Sequence, residues 1–262
     1  MQSDPRVWIA ALRSSHERLA GLVRPLSPEQ IRGQSYCSDW TIAQVLSHVG
    51  SGAEIAMMML PGALGEGEMA SPESFQPVWD VWTAKSPDEQ AADALAADER
   101  NVKSLEQLTD EQLSGINMPF FGLDLDAVGL VRLRLGEHAV HTWDVAVELD
   151  PAATVAQDAV ELLIDNVSQF LAPRLGQLQS SPFAVRIRAT EPDRDYLLAT
   201  ADTVIMTDWP ADGTDVPVGE VSMPAEALLR LAYGRLDSGH TPATVSGDPD
   251  DLNQLRAVFP GF

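Results

Sequence analysis

The stretch Gly136-Glu-His-Ala-Val-His-Thr-Trp-Asp144 indicates both how part of this chain folds and what chemistry it supports. Glu137 and His141 are four residues apart in a segment with helical spacing, so a carboxylate and an imidazole lie on one helix face, one turn apart. A third ligand from another helix would complete a metal site with open positions. His48, near the middle of an earlier apolar segment, is available for that role. The chain has only five histidines, which makes a close pair of them informative.

The helix that contains this stretch has a stripe of mostly polar residues where a bundle helix should be apolar. Steps of three and four residues join Leu130, Arg134, Glu137, His141, Asp144 and Glu148. Burying such groups is costly unless they have partners, and apolar residues flank the stripe on both sides, so we expect it to line a polar site inside the bundle. Asp144, one turn past His141, is placed to orient that imidazole. On spacing alone, His138 and His141 are an alternative chelating pair.

Residues 1–150 have the periodicity of amphipathic helices joined by loops, which predicts a four-helix bundle. The expected helix starts are Asp4, Ser38 or Asp39, Ser86, and Asp124 or Asp126, and the last helix is expected to end near Leu149. A segment rich in Gly, Pro and Glu, residues 61–77, is predicted to be a long loop that acts as a lid or faces the substrate.

Residues 151–262 are predicted to form a second domain, in which strands alternate with helices, after a boundary at Asp150-Pro151. A helix is expected over 154–178, strands over 183–189, 196–201, 203–207 and 244–246, and further helices over 224–233 and 252–258. The fold class predicted for the whole chain is therefore α+β, with a helical bundle followed by an α+β domain.

Composition argues against several classes of function. A formal net charge of -22 disfavours binding to nucleic acid and to anionic membrane surfaces. No apolar run approaches the roughly 20 residues of a membrane span, and the N-terminus has no signal pattern. Cys37 is the only cysteine, which favours a reducing, cytoplasmic location, and the residue is interpreted as a bystander before a helix. Sequence motifs for a nucleophilic serine or a phosphate-binding loop are absent.

Several motifs, in the right order, resemble one known family. Trp40-Thr-Ile-Ala-Gln-Val-Leu-Ser-His48 is similar to the W-x7-H segment of the DinB-like, mycothiol-dependent maleylpyruvate isomerase superfamily, and Glu137-His-Ala-Val-His-Thr-Trp-Asp144 is similar to its second segment. The family's sterol-carrier-like C-terminal domain is resembled by Ala232-Tyr-Gly-Arg235, Val245-Ser-Gly-Asp248 and Phe259-Pro-Gly-Phe262. The resemblance spans nearly the whole chain and implies a DinB-like four-helix bundle followed by a sterol-carrier-like α+β domain.

The resemblance also implies a site. His48, Glu137 and His141 would be the ligands of a divalent metal, with zinc the expected ion. Mycothiol, or a similar low-molecular-weight thiol, would be the cosubstrate, with its sulfur activated as a thiolate at the metal. Arg235 matches the position of an important arginine of the family. With Arg132 and Arg134 it is a candidate for binding carboxylates, in a cleft between the domains.

The expected activity is that of a thiol S-transferase or isomerase acting on a small electrophile. Conjugation is favoured over isomerisation because maleylpyruvate isomerase is one narrow member of the superfamily. Two alternatives stay open: a hydrolase that uses metal-bound water, and a non-catalytic small-molecule-binding protein built on the C-terminal domain. The protein is expected to be a monomer or a homodimer.

Overall fold

The computed structural model of the protein describes residues 4–120, 123–168, 183–200, 204–213 and 218–259. The chain divides into two compact units, Met1–Ala153 and Thr154–Phe262. Where the structure describes it, the first unit is helical apart from one short pair of strands and an isolated β-bridge between Gln34 and Thr41, and the second unit combines a sheet with helices. The predicted α+β class is therefore confirmed.

The described part of the first unit contains four long helices. They are α1 (Pro5–Val23), α3 (Ile42–Ala63), α5 (Pro87–Glu106) and α7 (Ala127–Leu149), and the shorter α2 (Pro28–Ile31), α4 (Gln76–Ala84) and α6 (Asp110–Gly115) lie between them. A hairpin of β1 (Met118–Phe120) and β2 (Leu123–Leu125) precedes α7. Helix α1 packs against α5 and α7, and α3 packs against the same two helices, which confirms the four-helix bundle.

Each long helix begins at a side chain that accepts a hydrogen bond from a backbone N–H of the first turn. The capping residues are Asp4, Thr41, Ser86 and Asp126. The predicted starts at Asp4, Ser86 and Asp126 are confirmed. The predicted start at Ser38 or Asp39 is wrong, because Thr41 and Gln44 form a reciprocal capping box that begins α3 further along the chain.

The segment over 61–77 is a loop only in its middle. Helix α3 continues through Pro61 to Ala63, because a proline near the end of a helix removes one hydrogen bond without breaking the turns before it. A short 3-10 helix (Pro72–Ser74) leads into α4. The prediction of one long loop is wrong at both ends.

The second unit has a five-stranded sheet of order β5-β4-β3-β6-β7. Its strands are β3 (Ala184–Thr190), β4 (Arg194–Thr200), β5 (Val204–Asp208), β6 (Gly219–Pro224) and β7 (Ser246–Gly247). Strand β3 pairs antiparallel with β4 and parallel with β6. Strand β6 is not among the predicted strands, because only Val221 and Met223 mark its buried face.

The helices of the second unit include α8 (Gln157–Leu163), α9 (Ala225–Ala232) and α10 (Pro249–Val258), and α9 packs against α8, β3 and β6. The helix expected over 154–178 starts later, as α8, and passes into a 3-10 turn (Ile164–Asn166). Its predicted part beyond residue 168 lies outside the described residues. Among the described helices, none has the length and apolar character needed to cross a bilayer.

Candidate metal centre

The candidate metal centre lies between α3 and α7. His48 comes from α3, and Glu137 and His141 come from successive turns of α7. Oε2 of Glu137 lies 3.3 Å from Nε2 of His48 and 3.6 Å from Nε2 of His141. Ligand atoms of the three residues all lie within 4.8 Å of one another. The structure thus brings together the three side chains that the sequence analysis selected as ligands.

The spacing of these atoms fits a small divalent cation. Zinc binds histidine nitrogen and carboxylate oxygen at about 2.0–2.1 Å, which places tetrahedral ligand atoms about 3.3–3.4 Å apart. The side chains of His48 and Glu137 are 41% and 42% exposed, whereas that of His141 is 8% exposed. A cation held here would have protein ligands on one side and accessible positions on the other, as catalytic sites require.

Asp144 supports His141 from behind. The fully buried carboxylate places Oδ2 2.8 Å from Nδ1 of His141. Since a carboxylate only accepts hydrogen bonds, Nδ1 carries a proton, and Nε2 is the nitrogen that faces the centre. The Sγ–H of Cys37 donates to the same Oδ2 at 3.2 Å, so the interpretation of Cys37 as a bystander is wrong. The backbone N–H of Tyr36 donates to the carbonyl oxygen of Asp144, which holds this segment against α7.

Trp40 forms one wall of the centre. Its ring centroid lies 5.3 Å from that of His48 and 6.2 Å from that of His141, and the two imidazole centroids are 4.7 Å apart. An indole beside both rings limits the rotation open to them, which favours one orientation of the two candidate ligand nitrogens.

The protonation of the centre follows from the same contacts. Partial desolvation would by itself raise the pKa of Glu137, but hydrogen bonds to His141 and His48 hold it well below the usual range of a glutamate. Burial would lower the pKa of His141, but hydrogen bonds to Asp144, Cys37 and Glu137 raise it well above the usual range. Glu137 is therefore a carboxylate, and the surroundings of His141 favour positive charge, which a divalent cation supplies when it replaces the imidazole proton.

His138 belongs to a different cluster. Its fully buried ring places Nε2 2.8 Å from Oδ2 of Asp98 and Nδ1 2.8 Å from Oγ of Ser15. Burial lowers the pKa of His138, and Asp98 only partly offsets that effect, so the ring is neutral and donates to Asp98 through Nε2. Both ring nitrogens are engaged, and His138 does not chelate with His141.

The three candidate arginines lie in different surroundings. Arg134 turns into the bundle, where Nη2 donates to Oδ1 of Asp98 at 2.7 Å. Arg132 is partly exposed on α7. Arg235 belongs to the second unit, where it is buried and its Nη1 donates to the carbonyl oxygen of Tyr233 at 2.6 Å.

Two buried polar residues near the centre, His16 and Asp98, are not among the predicted site residues, although each leaves a signal in the sequence. His16 lies between Leu12 and Leu19 on the apolar stripe of α1. Asp98 likewise lies between Leu95 and Val102 on the apolar stripe of α5. A titratable residue at a core position of a bundle helix indicates a buried partner, and these two are partners of each other, with Nδ1 of His16 2.7 Å from Oδ2 of Asp98.

The sequence matches two family models in succession. Residues 12–146 match the mycothiol maleylpyruvate isomerase N-terminal domain, and residues 154–254 match the MDMPI C-terminal domain. The chain belongs to this family. The resemblance read from the motifs is thereby confirmed. No curated protein sequence matches the chain significantly.

Members of this family with solved structures share the fold. A crystal structure of the mycothiol-dependent maleylpyruvate isomerase is 16% identical, covers 93% of each chain and superposes with a TM-score of 0.68. A crystal structure of a histidine-to-alanine mutant of that isomerase is 15% identical, with the same coverage and a TM-score of 0.67. At this identity the likeness establishes the fold of both units.

Proposed function

We propose that the protein is a metal-dependent enzyme that activates mycothiol, or a similar low-molecular-weight thiol, for attack on an electrophilic small molecule. The observation that carries the proposal is the convergence of His48 Nε2, His141 Nε2 and Glu137 Oε2 at distances that fit one divalent cation. Family membership supports the choice of thiol, because the matched family is named for a mycothiol-dependent isomerase.

The charges of the site favour an anionic fourth ligand. A divalent cation with two neutral imidazoles and the carboxylate of Glu137 has a net charge of +1, which a thiolate would neutralise. When bound, such a cation lowers the pKa of a coordinated thiol and holds it as the thiolate nucleophile. Two further residues of the chain orient the histidines. Asp144 keeps the proton of His141 at Nδ1, and Trp40 restricts the rotation of both imidazole rings.

Two outcomes of the attack are compatible with this site. If the thiolate adds to a carbon–carbon double bond conjugated to a carbonyl, a C–S bond forms and the electron pair of the double bond moves to the carbonyl oxygen. The adduct can then rotate about the carbon–carbon single bond that remains. Elimination then restores the double bond and returns the thiol unchanged. If the thiolate displaces a leaving group, the C–S bond is retained and one thiol is consumed per turnover. We propose that Arg235 binds an anionic group of the thiol or substrate, as the family resemblance implies. Arg134 pairs with Asp98 inside the bundle.

The test combines metal analysis with turnover. We expect the purified protein to bind one divalent ion per chain, and we expect His48→Ala, Glu137→Gln and His141→Ala to weaken zinc binding by more than the about 10–100-fold that loss of an orienting partner costs. His240→Ala is the matched control, since this partly exposed histidine lies in the second unit and pairs with Asp237. Retention of stoichiometric metal by His141→Ala would refute the assignment.

Turnover separates the activities. Metal-loaded protein is offered mycothiol with maleylpyruvate, and separately with a chloronitrobenzene. Substrate conversion without thiol loss identifies an isomerase, and equimolar thiol loss identifies a transferase. Conversion of either substrate to its hydrolysis product by the metal-loaded protein in thiol-free buffer would instead identify a hydrolase and overturn the thiol proposal.

A further inference from the structure

A second polar cluster fills the bundle interior next to the candidate metal centre, and Asp98 of α5 is its hub. Oδ1 of Asp98 accepts from Nη2 of Arg134 at 2.7 Å. Oδ2 accepts from Nδ1 of His16 at 2.7 Å and from Nε2 of His138 at 2.8 Å. Arg134 is 8% exposed, His16 is 3% exposed, and His138 and Asp98 are fully buried. Burial would raise the pKa of Asp98, but His138 and Arg134 hold it well below the usual range, so the hub is a carboxylate.

Two imidazoles and a carboxylate also make this cluster a possible metal site, but its geometry favours hydrogen bonding. The distances of 2.7 and 2.8 Å from Oδ2 of Asp98 to the nitrogens of His16 and His138 are typical of hydrogen bonds. They are shorter than the about 3.3 Å that separates two ligand atoms of a tetrahedral ion. The guanidinium of Arg134 already neutralises the charge of Asp98 and would repel a cation.

The cluster is linked to both helices that carry the candidate ligands. Nη2 of Arg134, which donates to Asp98, also donates to the carbonyl oxygen of Val49 at 2.9 Å. Val49 follows His48 on α3, so this one nitrogen joins α3 to α7 beside a ligand. On α7, His138 directly follows Glu137. The hydrogen bonds of Asp98 and Arg134 thus connect all four long helices at the level of the ligands.

We propose that Asp98 is a positioning residue that, through Arg134 and His138, fixes α3 and α7 so that His48 faces Glu137 and His141. The inference rests on the proposed metal function. It assigns Asp98 no contact with substrate or metal, and it explains why a bundle that could be filled with leucine retains a buried ion pair. Such a pair is weak evidence for stability but constrains geometry, because its partners must meet at fixed distances.

The test measures zinc affinity by chelator competition, and the visible absorption of the cobalt-substituted protein, at a temperature where all variants are folded. We expect Asp98→Asn to weaken zinc binding at least about tenfold, in the range seen when orienting partners of ligands are removed, and to alter the cobalt spectrum. Arg134→Lys keeps a positive charge beside Asp98, but the shorter side chain should lose the hydrogen bond to the carbonyl oxygen of Val49. It should show a smaller loss of the same kind, and it keeps the test decisive if Asp98→Asn does not fold.

Leu105→Ala is the matched control, because Leu105 is a buried residue of the same helix outside the cluster. It should lower the resistance to urea while leaving zinc affinity within about twofold of wild type. The inference is overturned if every folded cluster variant keeps wild-type zinc affinity and cobalt spectrum, or if Leu105→Ala loses as much affinity as they do. If wild-type protein binds no divalent metal, the proposed function itself fails, which is a separate outcome.

Discussion

Gly50→Ala should destabilise the bundle, because α3 packs tightly against α4 and α5 at Gly50. A Cβ at this position would lie 2.2 Å from Cη2 and 2.6 Å from Cζ3 of Trp82, and 2.9 Å from Cα of Ala94. The indole cannot move aside cheaply, because Trp82 is 1% exposed and its Nε1 donates to Glu54 at 2.8 Å. Ala94 offers a backbone atom, so relief requires α3 to shift away from α5.

The size of the effect is the difference between two terms. Overpacking a filled core costs about 1–3 kcal/mol, and clashes with both a ring and a backbone place this variant at the upper end. Replacing glycine by alanine inside a helix gains about 1 kcal/mol. We expect a net loss of about 2 kcal/mol in the free energy of unfolding. For a unit of this size, that corresponds to a fall in Tm of about 4–8 °C.

The assay is urea unfolding followed by circular dichroism, with Gly21→Ala as the control. Gly21 lies in α1, and a Cβ there would meet nothing within 4 Å, so only the helical gain applies, and this variant should be about 0.5–1 kcal/mol more stable than wild type. Equal stability of the two variants would refute the argument that Gly50 permits the close approach.

Two further predictions concern buried carboxylates. Asp144→Ala removes the acceptor for Nδ1 of His141 and should weaken zinc binding about 10–100-fold in chelator competition, and Asp150→Ala, an exposed carboxylate beyond the end of α7, should have no such effect. Folding lowers the pKa of Asp98 below its ordinary value of 3.8. The ionised carboxylate therefore stabilises the fold at every pH above 3.8, and this stabilisation is lost as the pH falls from 3.8 through the lower pKa of the folded state. In urea titrations over a pH series, Asp98→Asn should therefore be less stable than wild type by about 3–5 kcal/mol at neutral pH, with a gap that narrows only below pH 3.8; a constant gap would contradict this.

The helical bundle was predictable because its signals are local. Asp4 with Pro5, and Ser86 with Glu89, mark helix starts with hydrogen bonds that form within one turn. The start of α3 was not, because several capping residues precede it and only the reciprocal pairing of Thr41 with Gln44 selects one. Strand β6 was missed since its place in the sheet comes from pairing with β3, far away in sequence.

The grouping of the three candidate ligands was predictable because helical spacing places Glu137 and His141 on one face, and family motifs add His48. The roles of Arg134 and Cys37 were not, because each depends on a residue of another segment. Arg134 follows the same stripe as Glu137, yet it turns to Asp98 of α5. Cys37 precedes α3 in the chain but meets Asp144 of α7 only when the bundle closes.

Helix α7 separates two polar centres that a sequence pattern alone would merge. Consecutive helical residues point about 100° apart, so Glu137 and His138 cannot serve one centre, while His141 is within about 60° of both. The partner helices decide between them. On the side of α7 that carries Glu137, His48 of α3 contacts that carboxylate. On the side that carries His138, Ser15 of α1 and Asp98 of α5 form hydrogen bonds with its ring. Asp98 pairs with the guanidinium of Arg134 in the cluster around His138, so Arg134 does not compete with a cation for Glu137 in the candidate metal centre.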